Sequence, residues 1–329
     1  MKGSLRTQLT GIIKASCRFG QSRHQAKKEH GGKSPFIHSV GSFEKIIRRL
    51  WPLLDWLMEN GIKDIEALND LLLMCYLEAR LVYHLEKGNA CHTFQAELSA
   101  LAKLETCLNA FSGIHRSSPR KYDFSDPLKE FRKRVRTLGK KERSQSRALP
   151  RPLELIACLD NPRHTLMAEF QLHTGCRTEG IGAPQRDYPG SNRLRPENFM
   201  QPEGGDILTP VPDPITRQPV HRFWTVEKGG KLAWKHCPLP LAERFFQYCE
   251  THPEGLTDKY TAYLKALNKA MKLTGQDGNG RGTHSLRFNF AQTRYLNCMH
   301  SGMGDEEAKL FVSREMSHSR PSVTGGYLG

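Results

Sequence analysis

Eight prolines fall between positions 184 and 222, and no α-helix can run through that stretch. Each proline removes a backbone donor and its ring clashes with the preceding turn. The stretch therefore splits the helical patterning into two parts separated by irregular loops. Directly after it, His221-Arg222-Phe223-Trp224-Thr225-Val226 reads as a strand. Glu227-Lys228-Gly229-Gly230-Lys231 reads as its turn, and positions 232–237 as the return strand.

Upstream, Phe43, Ile46, Ile47, Leu50, Leu53, Leu54 and Leu57 repeat at helix spacing behind a capping Ser42, with Pro52 set to kink or restart the helix. Asp64 opens a second apolar stripe through Ile65, Leu68, Leu71, Leu72, Cys75 and Tyr76, which Gly88 ends. A third helix spans about positions 92–111 through Leu98, Leu101, Leu104 and Leu108. Downstream, one helix leads through Leu166 and Phe170 to Thr174. Others cover 239–248, 260–273 and the segment from Arg287 to Cys298, the last following a Gly-rich loop at 275–282. The predicted fold class is mostly α with a small β-hairpin or sheet: an all-helical N-terminal domain and an α+β second domain. The expected boundaries are a basic, weakly ordered arm at 1–40, a helical domain at 41–112, a basic linker at 113–152 and the second domain at 153–329.

Lys and Arg outnumber Asp and Glu by 49 to 34, a formal charge of +15. The excess favours a polyanion as partner, and no apolar run approaches the length of a membrane span. Within the linker, Arg132, Lys133, Arg134, Arg136, Lys140, Lys141 and Arg143 are candidates to lie along nucleic-acid phosphates. Nine cysteines without a CxxC pair or a signal peptide fit reduced thiols and a cytoplasmic setting. Cys91-His92 and His236-Cys237 are poorly spaced for zinc, and Gly31-Gly32-Lys33-Ser34 lacks the first glycine of a phosphate loop, so neither a metal nor a nucleotide cofactor is expected.

Four short strings carry the chemistry. They are Thr174-Gly175-Cys176-Arg177, Thr283-His284-Ser285-Leu286-Arg287, Met316-Ser317-His318 and Thr324-Gly325-Gly326-Tyr327. Arginines can grip both non-bridging oxygens of a phosphodiester, histidines can move protons near neutral pH, and a tyrosine hydroxyl can attack phosphorus.

In these strings the chain resembles the tyrosine recombinases, the family of phage integrases and Xer-type resolvases. The TGxR box is met by Thr174-Gly175-Cys176-Arg177. The HxLRxxFA box is met by His284-Ser285-Leu286-Arg287-Phe288-Asn289-Phe290-Ala291, and the closing His and TxxY by His318 and Tyr327. The family's hairpin lysine corresponds to Lys228, with Lys231 as the other candidate, and the helical region from Ser42 resembles its core-binding domain. The family often carries Glu three positions after the first Arg. Position 180 is Gly, and Glu179 stands one place early.

The resemblance implies a catalytic set of Arg177, Lys228, His284, Arg287, His318 and the nucleophile Tyr327, acting without metal or cofactor. The expected product is a 3′-phosphotyrosyl link that conserves the phosphodiester energy. A free phenol ionises near pH ~10, so the nucleophile needs a cationic site or a base. The implied activity is site-specific recombination for integration or excision of a mobile element. A type IB-like topoisomerase and an inactive DNA-binding regulator with this fold are the alternatives. Expected partners are double-stranded DNA bearing recombination sites, further copies of the chain in a DNA-bound tetramer, and accessory DNA-bending or directionality proteins, with no membrane. The expected location is the cytoplasm, in association with the nucleoid. Because the sequence stops two residues after Tyr327 and Gly325-Gly326 disfavours a helix there, subunit contacts are expected from the N-terminal helical domain.

Overall fold

The computed structural model describes residues 2–32, 34–87, 91–137, 146–185, 193–227, 231–278, 280–318 and 321–328, with backbone alone at 23, 24, 91, 137, 227, 231 and 321–323. The chain divides into two units, Met1–Glu142 and Arg143–Gly329.

The first unit is helical: α1 (Leu5–Ala15), α2 (Arg23–Glu29), α3 (Val40–Glu59), α4 (Asp70–Glu86), α5 (Cys91–His115) and α6 (Ser125–Thr137). Its N-terminal part corrects the expectation of a weakly ordered arm. Leu5, Leu9, Ile12 and Ile13 form an apolar stripe on α1 and are buried in the unit's core with Leu53, Leu57, Leu98 and Phe131. Ser4 caps α1. The buried Gln8 side chain donates to the Lys63 carbonyl (2.9 Å) and accepts from the Ile65 amide (3.0 Å). Two caps also differ from the sequence reading. Ser39, not Ser42, caps α3, which runs unbroken through Pro52, and Asp64 caps only a 3-10 turn, leaving Asn69 to cap α4. The position expected to end α4, Gly88, lies outside the described residues.

The second unit comprises α7 (Pro152–Ala157), α8 (Pro162–Thr174), β1 (Val211–Pro212), β2 (Pro219–Glu227), β3 (Lys231–Pro238), α9 (Leu239–Thr251), α10 (Tyr260–Leu273), α11 (Ser285–His300), α12 (Asp305–Glu315) and α13 (Pro321–Leu328). The strands form one antiparallel sheet in the order β1-β2-β3. As expected, the described part of the proline-rich stretch has no α-helix. It is pinned by Phe199, which stacks on Phe223 (5.0 Å between centroids) and on Phe245 (5.5 Å) in the main core. A second cluster of Phe290, Ala291, Cys298, Ala308, Val312 and Met316 forms between α11 and α12, with the Tyr327 ring of α13 packed against it. The architecture matches the predicted class, mostly α with one small sheet.

Helix α13 is a second correction. Gly325 and Gly326 weaken a helix by roughly 1 kcal/mol each relative to alanine in an isolated peptide. Here α13 packs on α11 and α12, and tertiary burial outweighs the local preference.

Candidate active site

The first string works as a helix stop followed by a delivery. Helix α8 ends at Gly175, whose φ of 63° is left-handed, a conformation that L side chains avoid. A Cβ at this position would also run into the Phe290 ring of α11. Cys176 is buried behind it, and Arg177 emerges half-buried at the head of the 3-10 turn Thr178–Ile181.

The second string places His284 at the N-cap of α11 and Arg287 in its first turn. Arg287 is fully buried. Its Nη1 donates to the Gly175 carbonyl and its Nη2 to the Met316 carbonyl. A buried guanidinium keeps its charge only with such partners. Gln171, fully buried on α8, joins the two strings. Its Nε2 donates to the carbonyls of Cys176 (3.3 Å) and Thr283 (3.1 Å), while its Oε1 accepts from the Tyr263 hydroxyl (2.8 Å).

The third string is the C-terminal turn of α12. The Ser317 amide donates to the Arg314 carbonyl and the His318 amide to that of Ser313, which closes a Schellman motif. The left-handed position of that motif is usually glycine, yet here it is Ser317, with φ of 60°. The turn aims the His318 ring at both arginines. Nδ1 lies 3.5 Å from Arg177 Nη2, and Nε2 lies 3.4 Å from Arg287 Nη2.

Tyr327 completes the group from α13. Its hydroxyl is 3.5 Å from His318 Nε2, and its ring packs on Phe288 with centroids 4.5 Å apart. Gln292 of α11 holds the end of α13 through the Tyr327 carbonyl (3.1 Å) and bonds Ser146 Oγ (2.8 Å).

His284 is half-buried near these groups. Burial, and then the Arg287 charge, push its imidazole below the usual histidine range. Arg147 and Arg177 add to that, while Glu179 opposes it. The ring is therefore neutral near pH 7 and can accept a proton. Glu179, one place early in sequence, still bears on this histidine electrostatically.

The structure thus brings together Arg177, Arg287, His318 and Tyr327, with His284 in their field. Lys228 lies outside the described residues, as do Lys140, Lys141 and Arg143, and the Lys231 side chain is likewise outside them. On α6, Arg132, Lys133 and Arg136 are exposed. Arg134 is committed to Glu78 (2.8 Å from Nη2 to Oε2) and lies over the Phe131 ring. Sequence reasoning missed three contributors. Arg147, read as a linker cation, belongs to the second unit, donates to the Gly280 carbonyl (2.8 Å) and covers Phe288. Gln171 stands between Phe170 and Leu172 and Lys235 between Trp234 and His236, and neither belongs to a motif.

No protein-family model matches this sequence, and no curated protein is significantly similar to it. Among solved structures, the chain is similar to the XerH site-specific recombinase bound to palindromic difH substrate in a post-cleavage complex. The TM-score is 0.59 at 13% identity, covering 93% of this chain and 80% of that one. It is also similar to XerH bound to difH substrate before cleavage, with a TM-score of 0.58 at 13% identity over 99% of this chain and 82% of that one. The chain has the tyrosine-recombinase fold.

Proposed function

We propose that this protein is a site-specific DNA recombinase that cuts and rejoins strands through Tyr327, serving integration or excision of a mobile element. One observation carries the reading: the Tyr327 hydroxyl, Arg177 and Arg287 all converge on the His318 ring, within 3.5 Å of its nitrogens. In either neutral tautomer, one ring nitrogen carries a hydrogen and faces a guanidinium. A group of donors arranged this way is complementary to the non-bridging oxygens of a phosphodiester.

In the proposed reaction Tyr327 Oη bonds to the scissile phosphorus and its proton passes to neutral His284. Arg177, Arg287 and His318 stabilise the charge on the pentacoordinate phosphorus. The bond from phosphorus to the 5′-oxygen breaks, and that oxygen takes a proton from a lysine of the hairpin turn, Lys228 or Lys231. Attack by another strand's 5′-hydroxyl reverses these steps and rejoins DNA. Exposed α6 cations would follow the backbone, and two pairs of protomers would assemble on paired sites. The XerH structures, bound to difH substrate, support DNA as the partner of this fold.

The test uses nicked suicide duplexes tiled from the DNA beside the gene, with excess EDTA present. A covalent protein–DNA band is expected, absent in Tyr327→Phe, which should bind DNA as well as wild type because the hydroxyl adds little to a backbone-dominated affinity. No band with wild type, or an undiminished band in the variant, overturns the proposal. DNA relaxation without site preference would identify a topoisomerase instead.

A further inference from the structure

We infer that Lys235 is a positioning residue for strand cleavage: its buried ammonium holds the α12 turn that presents His318 and the Met316 carbonyl to the arginines. The inference rests on the proposed cleavage function and adds to it a residue outside the six site positions.

Lys235 lies directly opposite Phe223 in the β2–β3 ladder, so the two share a face of the sheet. Phe223 is fully buried in the core, and Lys235 is 3% exposed. An ammonium on a core-facing strand position is costly unless donors and acceptors are matched. Two of its acceptors lie on the α12 turn. Nζ donates to the Glu315 carbonyl and, at 3.2 Å, to Ser317 Oγ.

Those acceptors flank Met316, and the segment they bracket does two things in the site. Its Met316 carbonyl accepts from Arg287, and its next residue, His318, meets both arginines and Tyr327. The contact also explains why the left-handed position is serine. Glycine would adopt φ near 60° without the strain that a side chain incurs there. Serine supplies the hydroxyl that Lys235 engages. The Glu315 carbonyl is among the last of α12, where the helix dipole favours a cation. From the other side, Arg294 binds the Glu315 carboxylate through Nε (2.6 Å) and Nη2 (2.8 Å), so the turn is held by its backbone on one side and its side chain on the other.

The experiment uses full-length Lys235→Met, Ser317→Ala and the double variant Lys235→Met/Ser317→Gly. Two readouts are taken: amide hydrogen exchange over residues 312–318, and single-turnover cleavage of the suicide duplex alongside DNA affinity. Lys235→Met should speed exchange of the Ser317 and His318 amides on the order of tenfold, leaving α9 and α10 protected. Cleavage should slow by up to about a hundredfold, the scale of a 1 Å misplacement, with DNA affinity unchanged. Ser317→Ala keeps the strained backbone and loses the contact, so it should shift both readouts in the same direction by less. Glycine at 317 should restore much of the cleavage in the Lys235→Met background, because it holds the turn without the lysine.

A merely structural lysine predicts uniform loss of protection and no rescue by glycine. If Lys235→Met unfolds, Ser317→Ala alone decides: an unaltered turn overturns the inference. A loosened turn with wild-type cleavage overturns it as well. Should wild type form no adduct, the proposed function fails, while the exchange readout still decides whether Lys235 holds the turn.

Discussion

The carbonyl of Gly175 accepts a hydrogen bond from Nη1 of Arg287, across 112 residues of sequence. The glycine of the first motif therefore fixes the arginine of the second. Its left-handed backbone turns that carbonyl toward the guanidinium, and its missing side chain lets Phe290 close over it.

Gly175→Ala should lose about 2–4 kcal/mol of stability, combining left-handed strain with overpacking against Phe290. Cleavage should fall with it, because Arg287 loses its acceptor geometry. Urea unfolding of the full chain checks the first part. A change below about 0.5 kcal/mol, the level of a neutral surface substitution, would contradict it.

Arg177 and Arg287 should separate in their effects. Arg177 is half-buried and Arg287 fully buried. Arg177→Ala should cut adduct formation at least about a hundredfold, the scale of one preorganised donor, with little change in melting temperature. Arg287→Ala should do the same and also destabilise the fold, because two buried carbonyls each lose a donor worth about 1–3 kcal/mol. Equal melting temperatures for the two variants would rule out this division.

Helices, hairpin and motifs were legible because each is written locally. Period-3.6 apolar stripes gave α3, α5 and α10, and alternation around Gly229-Gly230 gave β2 and β3. Arg177, His284, Arg287, His318 and Tyr327 stood in short strings of charged and small residues. The misses have separate causes. On α1, eye-catching basic residues hid the Leu5, Leu9, Ile12 and Ile13 stripe. Helix α13 forms against its glycines through packing that no local window contains. Helix α12 starts from Gly304 with no side-chain cap, so its beginning lacks the usual capping residue. Gln171 and Lys235 matter only through partners far away in sequence.

Cleavage should lose rate as pH falls, with an apparent pKa below that of free histidine. Burial and the surrounding arginines disfavour the imidazolium of His284, so the neutral base persists until the pH drops beneath the ordinary range, about 6.5. The unfolded chain takes up that proton first. The contribution to stability is therefore complete above about pH 6.5 and declines on acidification. A single-turnover pH profile is the check. His284→Gln should be slow throughout and lack this limb, and retention of the limb would assign it to another group.

Arg294→Met should destabilise the second unit by about 3–5 kcal/mol, since it strips the cation from two partly or fully buried carboxylates. Arg294 Nη1 contacts Asp213 Oδ1 at 2.8 Å, and Nε contacts Glu315 Oε2 at 2.6 Å. Burial alone would raise both carboxyls, but hydrogen bonds from Arg294, joined by Thr216 and Ile215 amides at Asp213 and by His236 at Glu315, bring them below the ordinary range. Without the arginine both should titrate higher than they do beside it, opposed by the amides left at Asp213 and by His236 at Glu315. The deficit should then be greatest near neutral pH and shrink toward about pH 4, where both groups protonate. Chemical denaturation at several pH values measures this, and a deficit that does not vary with pH would count against it.

Gln292 touches both Ser146, near the start of the second unit, and the carbonyl of Tyr327, near its end. The two extremities of the unit are thereby neighbours on one side chain. That arrangement suits circular permutation of the unit, in which a short peptide bridges its two extremities and new ends open in an exposed loop. It also means that trimming the unit from its N-terminal side past Ser146 removes a partner of the side chain that holds the Tyr327 carbonyl, so an alteration far away in the numbering is felt on α13.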